Sequence, residues 1–274
     1  GSAYVFLRNG SQWSQEKRLI APDGDFLHLF GDSVALEGDL ALVGAPGANG
    51  LAASSGAAYF WVRSGSDWTV AQKISATDGA TDARFGKSVS LEGERAVVGA
   101  HWDSSAAAFS GSVYVFERVS GTWSQAAKLV ASDGEDNDDF GRSVSLSGER
   151  IAVGAPMADE GGQEAGVVYV FLRTRSGWIE EARLSSTHAH TNAFFGLSVA
   201  LEGDRLVVGA PQCGNCLVQG WASVFIRDAL GWHEEQWIVP ADGHEFDRYG
   251  NSVAIQGETI LVAAPYHDEP VETA

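Results

Sequence analysis

A repeat of about 55 residues constrains the fold of this chain more than any other sequence feature. An aromatic residue followed by glycine recurs at Phe30, Phe85, Phe140, Phe195 and Tyr249. Tryptophan recurs with the same spacing at Trp13, Trp68, Trp123, Trp178 and Trp232. Gly-Ala-Pro, or a close variant of it, recurs with its alanine at Ala45, Ala100, Ala155, Ala210 and Ala264. Three markers in one phase indicate a chain built from repeated supersecondary units.

Each repeat contains four short segments with strand character. In the third copy we predict strands at 141–146, 150–154, 166–172 and 178–184. These segments combine polar–apolar alternation with β-branched and aromatic residues, and none shows the period of an amphipathic helix. Four antiparallel strands in a repeat of this length are typical of one propeller blade. The sequence therefore predicts an all-β, five-bladed β-propeller of four-stranded antiparallel blades, forming a single domain over residues 1–274.

Each end of the chain holds half of a blade. Third and fourth strands are predicted at 3–8 and 15–20, and first and second strands at 251–255 and 259–263. We therefore expect residues 249–264 to join residues 3–20 in a composite blade, which closes the ring and removes both exposed sheet edges. The other four blades are expected at about 29–75, 84–130, 139–185 and 194–239.

These motifs resemble the FG-GAP repeat, which is known from the propeller of integrin α subunits and from bacterial surface proteins. The resemblance covers all five copies and implies an extracellular or cell-surface module of the adhesion type, which binds a ligand without catalysis. Integrin propellers carry an Asp-rich calcium loop between the first and second strands. Here that place holds short turns such as Glu37-Gly38-Asp39. Their carboxylates are too few for the roughly six to eight oxygens that calcium takes, so the integrin calcium role is not expected here.

The chain is strongly acidic, with 36 Asp and Glu residues against 18 Lys and Arg residues and a net charge of −18. A nucleic-acid surface needs clustered basic residues, so we expect no nucleic-acid partner. The longest apolar runs, such as 167–172, are too short to cross a bilayer, and no membrane insertion is expected. We expect a monomer. The acidic surplus is compatible with calcium, with a basic partner, or with a solvated surface that only maintains solubility.

The long, divergent loops are the candidate binding region. Propeller topology places the loops between strands two and three, and between strand four and the next blade, on one face. The first set is 46–56, 101–111, 156–166, 211–221 and 265–274, and the second set is 21–29, 76–84, 131–139, 186–194 and 240–248. They hold 19 of the 36 acidic residues, and recognition usually lies in such loops. We predict ligand binding by Trp102, Asp103, Phe109, Asp136, Asp138 and Tyr266.

Trp102 is the most distinctive of these residues, because no other copy has tryptophan at its position. With Phe109 and Tyr266 it could stack on a sugar ring, or it could only anchor its loop. Two recurrent features are instead interpreted as structural. The five repeating tryptophans are expected to pack between blades. The Asp-Gly pairs that begin at Asp23, Asp78, Asp133 and Asp242 are expected to form turns in which glycine supplies a positive φ.

Two further groups could bind a metal or form a crosslink. Asp133, Glu135, Asn137 and Asp139 alternate oxygen ligands in a pattern that suits calcium, although the fixed glycine and distal glutamate of an EF-hand are missing. No other cofactor is expected. Cys213 and Cys216 are the only cysteines, and a local disulfide is favoured for an extracellular protein. A redox pair, free thiols, or a zinc site completed by His188 and His190 remain alternatives.

Catalytic motifs are not recognisable. The sequence offers no spacing that supports a nucleophilic triad, no phosphate loop and no unambiguous metal triad. We therefore expect a binding module and not an enzyme. A carbohydrate-binding, lectin-like propeller is the first alternative, and a glycan-active enzyme that uses two carboxylates is the second.

Overall fold

The computed structural model of the chain describes residues 1–211, 220–244 and 247–267. Over these residues the regular structure is β-strand, apart from one three-residue 3₁₀ turn, Phe26–His28. Within the same residues there is no helix long and apolar enough to cross a membrane. The chain divides into two compact units, residues 1–146 and 147–274, and each is described separately.

The first unit contains two complete four-stranded sheets and one hairpin. Its strands are β1 (Ala3–Asn9), β2 (Gln12–Leu19), β3 (Val34–Glu37), β4 (Leu40–Ala45), β5 (Ala57–Ser64), β6 (Asp67–Ile74), β7 (Ser88–Glu92), β8 (Arg95–Ala100), β9 (Ser112–Val119) and β10 (Thr122–Leu129), and the unit ends within β11 (Ser143–Ser147). Strands β3 to β6 and β7 to β10 each form an antiparallel sheet in sequential order. Strands β1 and β2 form a two-stranded sheet.

The second unit repeats this arrangement. Its strands are β12 (Arg150–Ala155), β13 (Val167–Thr174), β14 (Gly177–Leu184), β15 (Ser198–Glu202), β16 (Arg205–Ala210), β17 (Trp221–Asp228), β18 (Gly231–Ile238), β19 (Ser252–Gln256) and β20 (Thr259–Ala263). Strands β11 to β14 and β15 to β18 each follow one another in a four-stranded sheet, and β19 pairs only with β20 among the described strands. The all-β class and four antiparallel strands per internal repeat are therefore confirmed.

The inner strands of each sheet are buried on both faces. In β9 the five residues from Ser112 to Phe116 are all buried, which explains why such strands read as continuous apolar runs and not as alternating ones. The core between sheets β3–β6 and β7–β10 includes Phe60 and Trp123, whose ring centroids are 4.1 Å apart in a parallel stack. Burial of these aromatic side chains stabilises the packing of one sheet on the next.

The two recurrent glycines meet where one repeat packs on the next. A Cβ on Gly44 would overlap the carbonyl oxygen of Gly86, and that oxygen accepts a 2.9 Å hydrogen bond from the Ser33 hydroxyl. Gly86 itself has a φ of 93°, which disfavours any side chain. We call this arrangement the glycine joint. It recurs as Gly99, Ser88 and Gly141, and as Gly209, Ser198 and Gly250.

The Asp-Gly pairs form turns, but their glycines do not use a positive φ. The amide of Gly24 donates to the carbonyl of Ala21 at 3.0 Å, whereas Gly24 and Gly79 are not among the residues with positive φ. The aspartates instead connect neighbouring sheets. Asp23 accepts a 2.7 Å hydrogen bond from the Tyr59 hydroxyl, and Asp78 accepts one of 2.9 Å from Tyr114. This contact explains why aspartate recurs there.

The packing role predicted for the repeating tryptophans holds for Trp68 and Trp123 and fails for Trp13. The first two are each 3% exposed and Trp13 is 66% exposed. Trp68 packs against the preceding hairpin, where Glu16 accepts its indole N–H at 2.9 Å. Trp13 itself belongs to that hairpin, so no earlier strand of the first unit covers it.

Candidate functional site

The two kinds of long loop pack together within each repeat, as their predicted placement on one face requires. In the first unit the amide of Trp102 donates to the carbonyl of Ala83 at 3.3 Å, and the amide of Asn137 donates to the carbonyl of Ala108 at 2.8 Å. The carboxylate of Asp136 also accepts a 2.9 Å hydrogen bond from the amide of Ala108. Loops 76–84, 101–111 and 131–139 therefore form one continuous surface.

Two aromatic side chains project from this surface. Trp102 is 39% exposed and Phe109 is 44% exposed, and their ring centroids lie 6.2 Å apart at an interplanar angle of 74°. The guanidinium carbon of Arg84 lies 5.1 Å from the centroid of the Trp102 ring, a cation–π distance. Phe109 is fixed through its amide, which donates to the Ser104 hydroxyl at 2.9 Å. We call Trp102 and Phe109 the aromatic pair.

Two buried ionisable groups lie beside the aromatic pair. Burial, with the nearby charges of Arg142, Lys87 and Arg84, lowers the pKa of His101 to about 3, so this imidazole is neutral at physiological pH. Burial raises the pKa of the Asp139 carboxyl to about 6, although Arg142 opposes that shift. A hydrogen bond from the side chain of Trp102 also favours the charged form of Asp139. The aromatic pair thus adjoins a neutral histidine and a carboxyl that titrates near pH 6.

The other predicted acidic ligand residues hold the loops in place. Asp103 is buried and accepts hydrogen bonds from the hydroxyls of Tyr114, at 2.9 Å, and Ser105. Asp138 is also buried, and its carboxylate accepts a 2.7 Å bond from the amide of Glu135. These carboxylates order the surface on which the aromatic pair stands.

Tyr266 lies in the second unit, at the repeat position that corresponds to Trp102. It is exposed, and the guanidinium carbon of Arg248 lies 4.8 Å from its ring centroid. Arg248 in turn corresponds to Arg84, and both arginines have a positive φ. The arginine–aromatic contact is therefore built twice, once in each unit.

The predicted calcium ligands lie in the loop 131–139. Asn137 and Asp139 have φ values of 71° and 58°. Among the described residues, the group of three His, Cys, Asp or Glu side chains whose ligand atoms lie within 4.8 Å of one another is His244, Asp247 and His267. Asp133, Glu135 and Asp139 form no such group, and calcium binding there stays a prediction.

Cys213 and Cys216 fall outside the described residues, so the disulfide and its zinc alternative also stay predictions. The two histidines of that alternative are described. The ring of His188 stacks on Trp237 with centroids 4.4 Å apart, and the ring of His190 lies 4.9 Å from Trp221 in an edge-to-face contact.

The FG-GAP repeat model matches residues 13–61, 68–116, 123–171, 178–225 and 232–273. The chain belongs to the FG-GAP repeat family. Each complete match begins in the fourth strand of one sheet and ends in the third strand of the next, so the FG-GAP sequence repeat is offset from the sheet. No curated protein matches the chain. The glycine joint brings together the two motifs for which the family is named, because the Phe85-Gly86 of one repeat packs against the Gly44-Ala45 of the repeat before it.

Proposed function

We propose that this FG-GAP protein is an extracellular or cell-surface module that binds a protein or glycan ligand without turnover, and that the aromatic pair is its principal contact. The observation that carries the proposal is the exposure of two large aromatic rings on a surface ordered by buried hydrogen bonds. Tryptophan and arginine are enriched among the residues that dominate binding energy. The contact between Arg84 and Trp102 brings these two residue types together at the surface.

The aromatic pair is not repeated, and this supports one composite site over one site per blade. The positions that correspond to Trp102 hold Gly47, Met157, Gln212 and Tyr266. Those that correspond to Phe109 hold Ser54, Glu164, Gln219 and Thr273, so no other copy has both aromatic residues. A lectin with a sugar site in every blade would need an aromatic residue at each. Carbohydrate remains a candidate ligand at this single site, because an exposed indole offers a flat apolar surface to one face of a sugar ring.

Replacing both rings, in the variant Trp102→Ala/Phe109→Ala, is expected to weaken ligand binding by about tenfold or more, as for the central residues of an interface. Binding is measured on a glycan array and on immobilised lysine-rich peptide, with and without calcium. The matched control is Trp237→Ala, which removes an indole of similar exposure, 38%, from β18. Equal losses in both variants, or normal binding by the double variant, would show that the aromatic pair is not the site.

A glycan-active enzyme remains the catalytic alternative, and Asp139 is the residue that separates the two functions. A carboxyl with a raised pKa is suited to act as a general acid. If the protein hydrolyses a glycan on the array, and Asp139→Asn abolishes this turnover but not binding, the protein is an enzyme and the proposal of binding without turnover is wrong.

An oxidised pair of cysteines is expected from the proposed extracellular location. Alkylation of the unfolded chain without reductant, followed by mass spectrometry, should leave Cys213 and Cys216 unmodified. Alkylation of both cysteines would contradict the disulfide, and with it one support for the location.

We also propose that the ring is closed by a composite blade of β1, β2, β19 and β20. The two hairpins supply complementary halves of a sheet, and each exposes apolar side chains such as Phe6 and Leu261. The corresponding residues of the first internal repeat, Trp61 and Leu42, are buried. Pairing of β20 with β1 would remove two open sheet edges. Packing of the completed blade against its neighbours would cover these side chains, as sheet-to-sheet packing covers Leu42 and Trp61.

Closure is tested by an engineered disulfide. Strands β4 and β5 are the second and third strands of their sheet, and their register places Val43 opposite Tyr59. In the composite blade β20 and β1 would be the second and third strands, so the same register would place Val262 opposite Tyr4. In a Cys213→Ser/Cys216→Ser background, Tyr4→Cys/Val262→Cys is expected to form a bond within one chain. Tyr4→Cys/Glu258→Cys, at the far end of the hairpin, is expected to form none. Crosslinked dimers, or no bond in either variant, would refute closure.

A further inference from the structure

Two histidines and one aspartate meet in the described part of the second unit. His244 and Asp247 lie in the loop 240–248, and His267 follows β20. One ligand atom of each residue lies within 4.8 Å of the ligand atoms of the other two. The ring centroids of His244 and His267 are 5.8 Å apart.

Asp247 holds this group together. It is only 2% exposed, and its Oδ2 atom accepts a 2.7 Å hydrogen bond from the amide of His244. The same Oδ2 lies 2.7 Å from Nδ1 of His267. The amide of Tyr266 donates to the carbonyl of Asp247 at 3.2 Å, which fixes the segment of His267 against the loop. The buried aspartate therefore positions the backbone of His244 and the imidazole of His267.

The combination is specific to the last repeat. In the four earlier copies the position of His244 holds Asp25, Ala80, Glu135 and His190. The position of Asp247 holds His28, Ala83, Asp138 and Ala193. The position of His267 holds Ala48, Asp103, Ala158 and Cys213. The aspartate alone has a structural role, since Asp138 makes the same bond to the amide three residues before it. The two histidines add metal-binding nitrogens to that turn.

We propose that His244, Asp247 and His267 bind a divalent transition metal, with Zn²⁺ the expected ion. Imidazole nitrogen and carboxylate oxygen suit zinc, whereas calcium and magnesium select oxygen ligands. Zinc–ligand distances of about 2.0–2.2 Å place tetrahedral ligand atoms about 3.4 Å apart. On binding, Asp247 Oδ2 and His267 Nδ1 would move apart from 2.7 Å and exchange their contact for bonds to the metal, while His244 approaches from within 4.8 Å. Three protein ligands leave the fourth position for water or a ligand group. This metal site does not rest on the function proposed for the aromatic pair.

Zinc binding by the full chain tests the proposal. Cys213→Ser/Cys216→Ser serves as the parent, because thiolates are themselves strong zinc ligands. Calorimetric titration with ZnCl₂ is expected to give one ion per chain, and His244→Ala or His267→Ala is expected to lower the affinity about tenfold or more. The matched control, His233→Ala, removes an exposed histidine of β18 and should change the affinity less than twofold. Zinc should also raise the melting temperature of the parent and of the control, but not of the two variants.

A second measurement does not depend on substitution. In long-range ¹H–¹⁵N spectra of the parent, stoichiometric Zn²⁺ is expected to shift the imidazole signals of His244 and His267 and to leave that of His233 in place. No binding by the parent, equal affinities in all variants, or loss of binding only in His188→Ala/His190→Ala would overturn the proposed site.

Discussion

Gly99→Ala is expected to lower the free energy of unfolding by about 4 kcal/mol, at the upper end of the effects of single substitutions. The new Cβ would overlap the carbonyl oxygen of Gly141, which already accepts a 2.8 Å hydrogen bond from Ser88. We expect neither backbone segment to move away from the new Cβ, because Gly99 lies within the central strand β8 and Gly141 lies just before β11. Urea unfolding followed by tryptophan fluorescence measures the loss.

The matched control is Gly93→Ala, in the turn between β7 and β8. Gly93 has a φ of 58°, and nothing lies within 4 Å of the Cβ that alanine would add. Only the left-handed backbone conformation is penalised there, at about 1–2 kcal/mol. If the two variants unfold at the same urea concentration, close packing at the glycine joint does not determine stability.

Glu181→Gln is expected to cost about 3 kcal/mol at pH 7. The carboxylate of Glu181 accepts hydrogen bonds from Arg150 at 2.7 and 3.0 Å, from Arg227 at 3.1 Å and from the indole of Trp232 at 3.1 Å. These bonds, that of Arg150 foremost, lower the pKa of Glu181 from 4.5 to about 2 against the opposing effect of burial. A difference of that size between folded and unfolded states corresponds to about 3 kcal/mol.

The cost of Glu181→Gln should depend on pH. A carboxyl whose pKa is lowered by folding stabilises the folded state above its unfolded pKa, and this stabilisation is lost as the pH falls towards the folded pKa. The difference between parent and variant is therefore expected to fall to about half at pH 3. Glu94→Gln changes a carboxylate that is 68% exposed in the turn between β7 and β8, 3.9 Å from Arg118, and should cost less than about 0.5 kcal/mol. A pH-independent difference would exclude the charge of Glu181 as its cause.

The strands were predictable because the repeat presents the same pattern five times. Their ends were less so: the strand expected from residue 141 begins at Ser143, since Gly141 turns the chain with a φ of 90°. The Asp-Gly pairs show a stronger limit. A local rule predicted their turns, but the reason that aspartate recurs is a tyrosine 36 residues later in the neighbouring sheet.

The candidate site was predictable only where one copy departs from the others. Trp102 could be selected from the sequence because no other copy has tryptophan at its position. The side chain is 39% exposed, as a residue that contacts a ligand must be. Asp103 and Asp138 share the acidic character of the loops, yet their bonds to Tyr114 and to the amide of Glu135 are set by tertiary packing. His267 is 20 residues from Asp247. Alignment of the five copies would have revealed that only the last combines these residues.

The offset between the sequence repeat and the sheet has a consequence for how such a gene can change length. The second match runs from β6 to β9, so it completes one sheet and begins another. Removing residues 68–122 would join β5 directly to β10, and the resulting sheet would still contain four strands in the same order. Duplication of the same segment would likewise leave no sheet short of a strand. Unequal crossing-over anywhere in the array can therefore alter the number of copies while every sheet remains whole.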